Sequence, residues 1–408
     1  MRILLINHYA GSIAHGMEYR PYYLAREWLR LGHAVQIIAA SQSHVRTVQP
    51  AVAGSVGREQ IGGVDYLWLK TPAYHGNGVG RVLNIAVFCA RVAQVATRVA
   101  REFKPDVVVA SSTYPMDIWP ARRIARKARA KLVHEVHDLW PLSPIELGGM
   151  SARHPFIRVC QAAEDFACRR ADVVVSMLPC VHDHMRAHGL DLRKLHIVPN
   201  GVLTEEWEAP GDALFDELAH HIARVRAEGR IVVGYAGAHG VANALDSLLD
   251  AAALLRGEPF EFVLVGDGAE RERLRRRVEE EGLSNVRLFA PIPKRQIPSL
   301  LGQLDVAYIG LQHVPIFRFG IAPNKLMDYM MAGCAVLCAI EAGNDPVGES
   351  GCGVTVRAES APAIAAGLRR LGALSTEERR AMGLLGRQYM VRHHTWPVLA
   401  RRFIEAMS

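Results

Sequence analysis

The chain has 408 residues, of which 50% are hydrophobic and 22% charged, with a formal net charge of +7. That balance excludes a disordered chain and allows a buried core large enough for two domains. Seven cysteines, odd in number and scattered, form neither a disulfide frame nor a zinc-ligand pattern, so a reducing, cytoplasmic setting is expected.

The N-terminal run "MRILLINHYAG" is too short and too soon polar for a signal peptide and is predicted as a first β-strand. No window of about 18 uncharged apolar residues is recognised, so no membrane-spanning helix is expected. Further strands are predicted at "AVQIIAA", "DVVVASS", "KLVHEVH" and "ADVVVSML", separated by amphipathic helical stretches such as "EYRPYYLAREWLRLGH". Short apolar strands alternating with helices predict a parallel sheet covered on both faces. "KLHIVPNGV" closes this half, and the acidic stretch with Glu205, Glu206, Glu208, Pro210 and Gly211 reads as a linker. The second half repeats the pattern with "RIVVGYAG", "FEFVLVGDG", "NVRLFA", "DVAYIGL" and "CAVLCAI". The expected fold is α/β, with two doubly wound domains whose ligands sit at the carboxyl ends of the strands.

The charge is uneven. Residues 1–200 hold 25 Lys and Arg against 15 Asp and Glu, while residues 201–408 hold 23 against 26. The first half therefore suits an acidic partner: nucleic acid, a phospholipid surface or a phosphorylated substrate. Arg81, Arg91, Arg98 and Arg101 stand among apolar residues, and "ARRIARKARAK" is denser still. With few aromatics interleaved, this pattern favours peripheral contact with an anionic leaflet over nucleic acid.

Three stretches carry candidate chemistry. In "YAGAHG", Gly237 and Gly240 follow a strand and precede a helix, where backbone N–H groups can approach a phosphate. In "FGIAPNKLMDYMMAGCAV", Pro323, Asn324 and Lys325 open a helix, and Asp328 lies three residues beyond Lys325. The bland reading is an i,i+3 ion pair; the functional one sets Lys325 on a pyrophosphate and Asp328 on ribose hydroxyls. In "KLVHEVHDLWPLSP", His137 and Asp138 follow a strand, with Trp140 and Pro141 fixing the loop. They are the candidate catalytic residues. The first loop adds Gly11, Gly16, Glu18 and Arg20, either as a solvated helix start or as the lining of a binding site.

Together "NHYAGS…HGMEYRPYYLAREWLRLGH", "EVHDLWP", "IVPNGV", "YAGAHG", "VGDG" and "PNKLMDYMMAGCAV" resemble the retaining GT-B glycosyltransferases of the group 1, or family 4, type. More narrowly they resemble the bacterial branch that builds O-antigen, capsule and exopolysaccharide. The resemblance implies two Rossmann-like domains with a cleft between them, 1–203 on the acceptor side and 204–387 binding a nucleotide-sugar, with a last helix in 388–408 returning to the first. It implies that His137 lies near the donor sugar, that Asp328 holds the ribose, that Lys325 and the turn before it face the phosphates, and that Ala290 to Ile292 read the base. Gly11, Gly16, Glu18 and Arg20 fall on the acceptor side. The implied partners are a UDP-linked donor, with an amino sugar in this branch, and a polyprenyl-diphosphate-linked or saccharide acceptor at the inner face of the plasma membrane.

Two departures from the family pattern stand out. The acidic residue expected eight before Asp328 is Gly320, and a basic pair expected after the first strand of the second domain is Ala238 and Asn243. Lys325 and Arg318 are then the candidates for the phosphate charge. No Asp-x-Asp occurs, so no metal or other cofactor is expected at the diphosphate, and cations with helix N-termini must do that work. A UDP-sugar 2-epimerase on the same architecture is the alternative. Neither domain's first strand is followed by a full G-x-G-x-x-G, which weighs against a dehydrogenase.

Overall fold

The computed structural model describes every residue except Asn77 and Pro210, so the part of the linker at Pro210 lies outside the described residues. The chain divides into two compact units, Met1–Gly201 with Trp396–Ser408, and Val202–Thr395.

The first unit is built on strands β1 (Arg2–Ile6), β2 (Ala34–Ala40), β3 (Val56–Ile61), β4 (Val64–Leu69), β5 (Val107–Ala110), β6 (Lys131–Val136), β7 (Val173–Ser176) and β8 (Leu195–Ile197), in the order β3-β4-β2-β1-β5-β6-β7-β8. All neighbours are parallel except β3 and β4. Near-continuous Val, Ile and Leu runs explain the parallel part, since such strands are buried on both faces. The β3–β4 hairpin escaped the sequence reading because Arg58, Glu59 and Gln60 give β3 an exposed, polar edge. Ile3 of β1 faces both Val35 of β2 and Val107 of β5, and the direction of winding reverses there. Ligands of doubly wound sheets gather at such a reversal.

The helix Val79–Glu102 is long and apolar enough to cross a membrane by length and composition alone, though Arg91 and Arg98 interrupt its apolar run. In the structure its Ile85, Phe88, Val92, Ala96 and Val99 are buried in the core of the first unit. The chain's last helix, Trp396–Met407, also belongs to this unit. Phe403 meets the buried Trp28 edge-on at 5.2 Å between ring centroids, and Trp28 Nε1 donates to the Ala400 carbonyl at 3.3 Å.

The second unit holds β9 (Ile231–Ala236), β10 (Phe260–Val265), β11 (Val286–Phe289), β12 (Val306–Gly310), β13 (Ala335–Ala339) and β14 (Gly353–Thr355), in the order β11-β10-β9-β12-β13-β14. Every neighbouring pair is parallel. Winding reverses between β9 and β12, so the loops after these two strands occupy the ligand edge.

Replacing Phe403 by Ala should destabilise the first unit by about 3–5 kcal/mol, the usual cost of emptying a buried aromatic site. Hydrogen exchange should rise in the helix Arg20–Arg30 and leave β9 to β14 unchanged.

Candidate active site

In the first unit a buried polar network spans the ends of three adjacent strands. Asn7 follows β1, Ser111 follows β5, and Glu135 and His137 flank the end of β6. Asn7 Nδ2 donates to the Ser111 carbonyl at 2.6 Å, and Ser111 Oγ donates to Glu135 Oε2 at 2.5 Å. His137 Nε2 lies 3.2 Å from Glu135 Oε2 and 3.0 Å from Ser111 Oγ, while its Nδ1 is 3.8 Å from Glu18 Oε1. Glu135 is 1% exposed, and burial alone would raise its pKa. Arg20, His137 and Ser111 overcome that and hold the carboxyl down at about 2. Burial likewise opposes charge on His137, but the Glu135 carboxylate outweighs it and raises the imidazole above 6.5. The result is a fixed carboxylate beneath an imidazole that favours its charged form.

Arg20 is not an open acceptor-side group. It is 4% exposed, pairs with Glu135 Oε1 at 2.8 Å, and donates to the Val198 and Pro199 carbonyls at 2.8 and 2.5 Å. A buried arginine in this position neutralises Glu135 and anchors the "VPNG" segment. Asp138 also turns away from His137: its Oδ1 accepts from Leu139 N at 2.9 Å and Ser143 Oγ at 2.5 Å, closing its own loop. Gly11 and Gly16 are required by close packing and not by mobility. A Cβ on Gly11 would stand 1.8 Å from the Met17 carbonyl, and Gly16 has φ +73° with Thr47 against it. Only Glu18, with φ +58°, is left facing His137. Glu135, inside a strand, and Ser111 are the residues missed in the sequence.

In the second unit the helix Asn324–Met331 is docked on the end of β9. Tyr329 OH accepts from Ala236 N at 2.9 Å and donates to the Ala236 carbonyl at 3.2 Å. One turn earlier on the same face, Lys325 Nζ donates to Tyr235 OH at 2.8 Å and to Asn243 Oδ1, and sits 4.8 Å from the centroid of the Tyr235 ring. No carboxylate pairs with it among the described residues. Burial pushes its pKa down to about 8. Gly237, at φ +151°, gives Lys325 its path, since a Cβ there would lie 2.6 Å from Lys325 Cδ. Gly240 needs no such freedom and simply precedes the turn Val241–Asn243.

The i,i+3 ion pair between Lys325 and Asp328 does not form. Asp328 instead borders a cavity of about 650 Å³ shared with Glu206, Trp207, Lys294, Arg295 and Ile297. Burial raises its carboxyl to about 7, with Lys294 opposing and Glu206 adding to the shift. Ala290 is exposed and Ile292 packs against the core beside this region. Pro323 precedes the first helical residue, Asn324, and no side chain caps the helix; Leu326 N and Met327 N donate to the Pro323 carbonyl at 3.1 and 3.4 Å, so what the helix start offers an anion is chiefly its dipole. Arg318 belongs to its own loop, donating to the Pro315 carbonyl at 2.7 Å and lying 4.3 Å over Phe319. Gly320, at φ +98°, ends that turn. His239 was missed in the sequence. It is fully buried, neither ring nitrogen has a hydrogen-bond partner among the described residues, and burial lowers its pKa to about 4.

Comparison with known proteins bears on both units. Residues 15–201 match the family model of the glycosyl transferase 4-like domain, and residues 230–373 match that of glycosyl transferases group 1. WcaI of Escherichia coli (strain K12), named as a glycosyl transferase of colanic acid biosynthesis, is 23% identical over 84% of this chain and 86% of its own. Sucrose-phosphate synthase of Thermosynechococcus elongatus superposes with a TM-score of 0.68 at 15% identity, over 99% of this chain and 98% of the other. HepE of Anabaena, in complex with UDP and glucose, gives 0.65 at 15% identity over the same shares. The fold is thus GT-B.

Replacing Arg20 by Ala leaves Glu135 buried without its main counter-charge and should cost about 3–5 kcal/mol in denaturant unfolding. Glu135, depressed from 4.5, stabilises above that pH and loses its contribution as pH falls toward 2. His137, raised from 6.5, stabilises below that pH and loses its contribution as pH rises through its folded value. The pair is therefore strongest between about pH 4.5 and 6.5. In Glu135→Gln, an NMR titration should find the His137 pKa below 6.5, because burial then dominates.

Proposed function

Since the chain is a glycosyltransferase whose halves belong to the glycosyl transferase 4-like and group 1 domain families, we propose that it transfers a hexosyl or N-acetylhexosaminyl group from a UDP-sugar with retention of configuration. The acceptor is a lipid-linked or saccharide intermediate of surface-polysaccharide assembly. The observation that carries this reading is Lys325, a half-buried ammonium at the ligand edge of the second sheet, bound by neutral oxygens and opposed by no carboxylate among the described residues. A diphosphate supplies the missing charge, and the raised, partly protonated Asp328 beside its cavity suits ribose hydroxyls. HepE, whose structure holds UDP and glucose, and WcaI, named for colanic acid biosynthesis, support the donor and the pathway class.

Lys325 and the helix N-terminus stabilise charge on the departing diphosphate as the bond to the sugar C1 loosens. Each dipole contact is worth about 0.3–2 kcal/mol, so the helix dipole and the ammonium must act together, in place of an Asp-x-Asp-bound metal. The acceptor hydroxyl attacks from the face of the leaving group, and a diphosphate oxygen takes its proton. His137, held by Glu135 and Ser111, is assigned to the sugar as a fixed hydrogen-bond donor to its hydroxyls. The basic first half fits peripheral attachment at an anionic leaflet.

Incubation with a panel of UDP-sugars and candidate acceptors, followed by the anomeric proton coupling of the product, tests this directly. A product of unchanged configuration is expected; an isomerised sugar nucleotide formed without acceptor would replace the proposal by an epimerase. His137→Ala should lower kcat by about 10²-fold or more while leaving the UDP Kd nearly unchanged. Affinity for UDP should fall as pH rises through about 8, where Lys325 loses its charge, and calorimetry of Lys325→Met should lack that pH dependence.

A further inference from the structure

The helix Pro155–Arg170 and the short helix His182–Ala187 that follows β7 bring Glu164, His184 and His188 together, with their ligand-capable atoms all within 4.8 Å of one another. His184 and His188 are four residues apart, which places them on one side of the turn, and their ring centroids are 4.5 Å apart. His184 Nε2 lies 2.7 Å from Glu164 Oε1. His188 Nδ1 lies 2.8 Å from Asp165 Oδ1 and 3.9 Å from Glu164 Oε2. Glu164 is only 3% exposed, and Asp165 stands at the solvent side.

Hydrogen bonds already preassemble this arrangement: His184 Nε2 and Gln161 Nε2 reach the two oxygens of Glu164, and His188 Nδ1 reaches Asp165. Gln161 Nε2 stands 2.8 Å from Glu164 Oε2 and 2.9 Å from both Asp165 Oδ1 and His188 Nδ1, yet an amide nitrogen carries two hydrogens. His188 Nδ1 can donate to Asp165 or accept from Gln161, not both at once. Arg169 Nη1 lies 3.9 Å from the outer oxygen of Asp165, so the uncompensated carboxylate of the group is the buried Glu164. A divalent cation takes the place of the protons that Glu164 and the imidazoles share, bonded by the same lone pairs.

We propose that Glu164, His184 and His188 form a divalent-metal site of the Zn²⁺ class, with Asp165 as the outer partner of His188. Two imidazoles with a carboxylate suit Zn²⁺ or Co²⁺ better than Mg²⁺ or Ca²⁺, which prefer oxygen alone. The three protein ligands come from both elements, so the ion acts as a structural staple between the helix Pro155–Arg170 and the segment after β7, with water completing its coordination. Metal–ligand bonds of about 2.0–2.2 Å require His184 and Glu164 to separate by about half an ångström from their present contact and Gln161 to move aside. Glu164 also borders a small cavity with His134, Glu135 and Asp138, so the staple steadies the edge of the sheet that carries Glu135. This site is independent of the charge supplied to the donor diphosphate.

The test uses the full chain stripped with EDTA and titrated with Zn²⁺ by calorimetry and with Co²⁺ by visible absorption. One equivalent per chain, a tetrahedral cobalt spectrum and a raised melting temperature with Zn²⁺ are expected. His184→Gln, His188→Gln and Asp165→Asn should each weaken binding at least about tenfold, the loss seen even when an outer partner of a metal ligand is removed. His182→Gln, at an exposed position on the same helix, should bind as the parent does. His188→Gln and Asp165→Asn alter partly exposed side chains, so they report on the site even if His184→Gln fails to fold. No bound equivalent, unchanged affinity in His188→Gln and Asp165→Asn, or loss in His182→Gln alone would overturn the site.

Discussion

The second unit is organised around a half-buried cation, Lys325, that no carboxylate neutralises among the described residues. Lys325 is held between the Tyr235 ring and hydroxyl and the Asn243 carbonyl oxygen, and burial depresses its pKa to about 8. Desolvating an ammonium without a counter-ion is unfavourable, so the surrounding structure must over-determine its place. Tyr329 clamps the helix to β9, and Gly237 clears the path of the lysine stem. A diphosphate lowers the electrostatic cost and so gains differential affinity from the same residues.

The first unit solves the opposite problem. Glu135 is an anion buried at the end of a strand, and Arg20, His137 and Ser111 leave it fully engaged. That saturation gives His137 a defined orientation and a bias toward charge. The contrast with Asp328 is informative. Burial there has no comparable counter-charge, because Lys294 is already 2.7 Å from Glu206, and the carboxyl rises to about 7. Two buried carboxyls in one chain are thus driven in opposite directions by what faces them.

The parallel strands were legible in the sequence because both-face burial leaves uninterrupted apolar runs, as in β5, β7 and β13. The hairpin of β3 and β4 was not, since Arg58, Glu59 and Gln60 make β3 polar on both faces and leave it no apolar period. His137, Lys325 and Asp328 could be placed from strand ends and a helix opening. Glu135 could not, for an acidic residue within a strand carries no periodic signal, and its partner Arg20 lies 115 positions away. Asp138 was assigned a catalytic part by adjacency to His137, whereas local hydrogen bonding to Leu139 and Ser143 governs it. The cluster of Glu164, His184 and His188 arises from the packing of two helices and has no compact motif in the chain.

The central claim, an anion seat for a UDP-sugar at Lys325, is tested most directly by a thermal-shift titration with UDP, GDP, ADP and dTDP, each with EDTA and with Mg²⁺. The account predicts stabilisation by UDP above the other nucleotides, undiminished by EDTA. A shift that requires Mg²⁺, or none with any nucleotide, would contradict it.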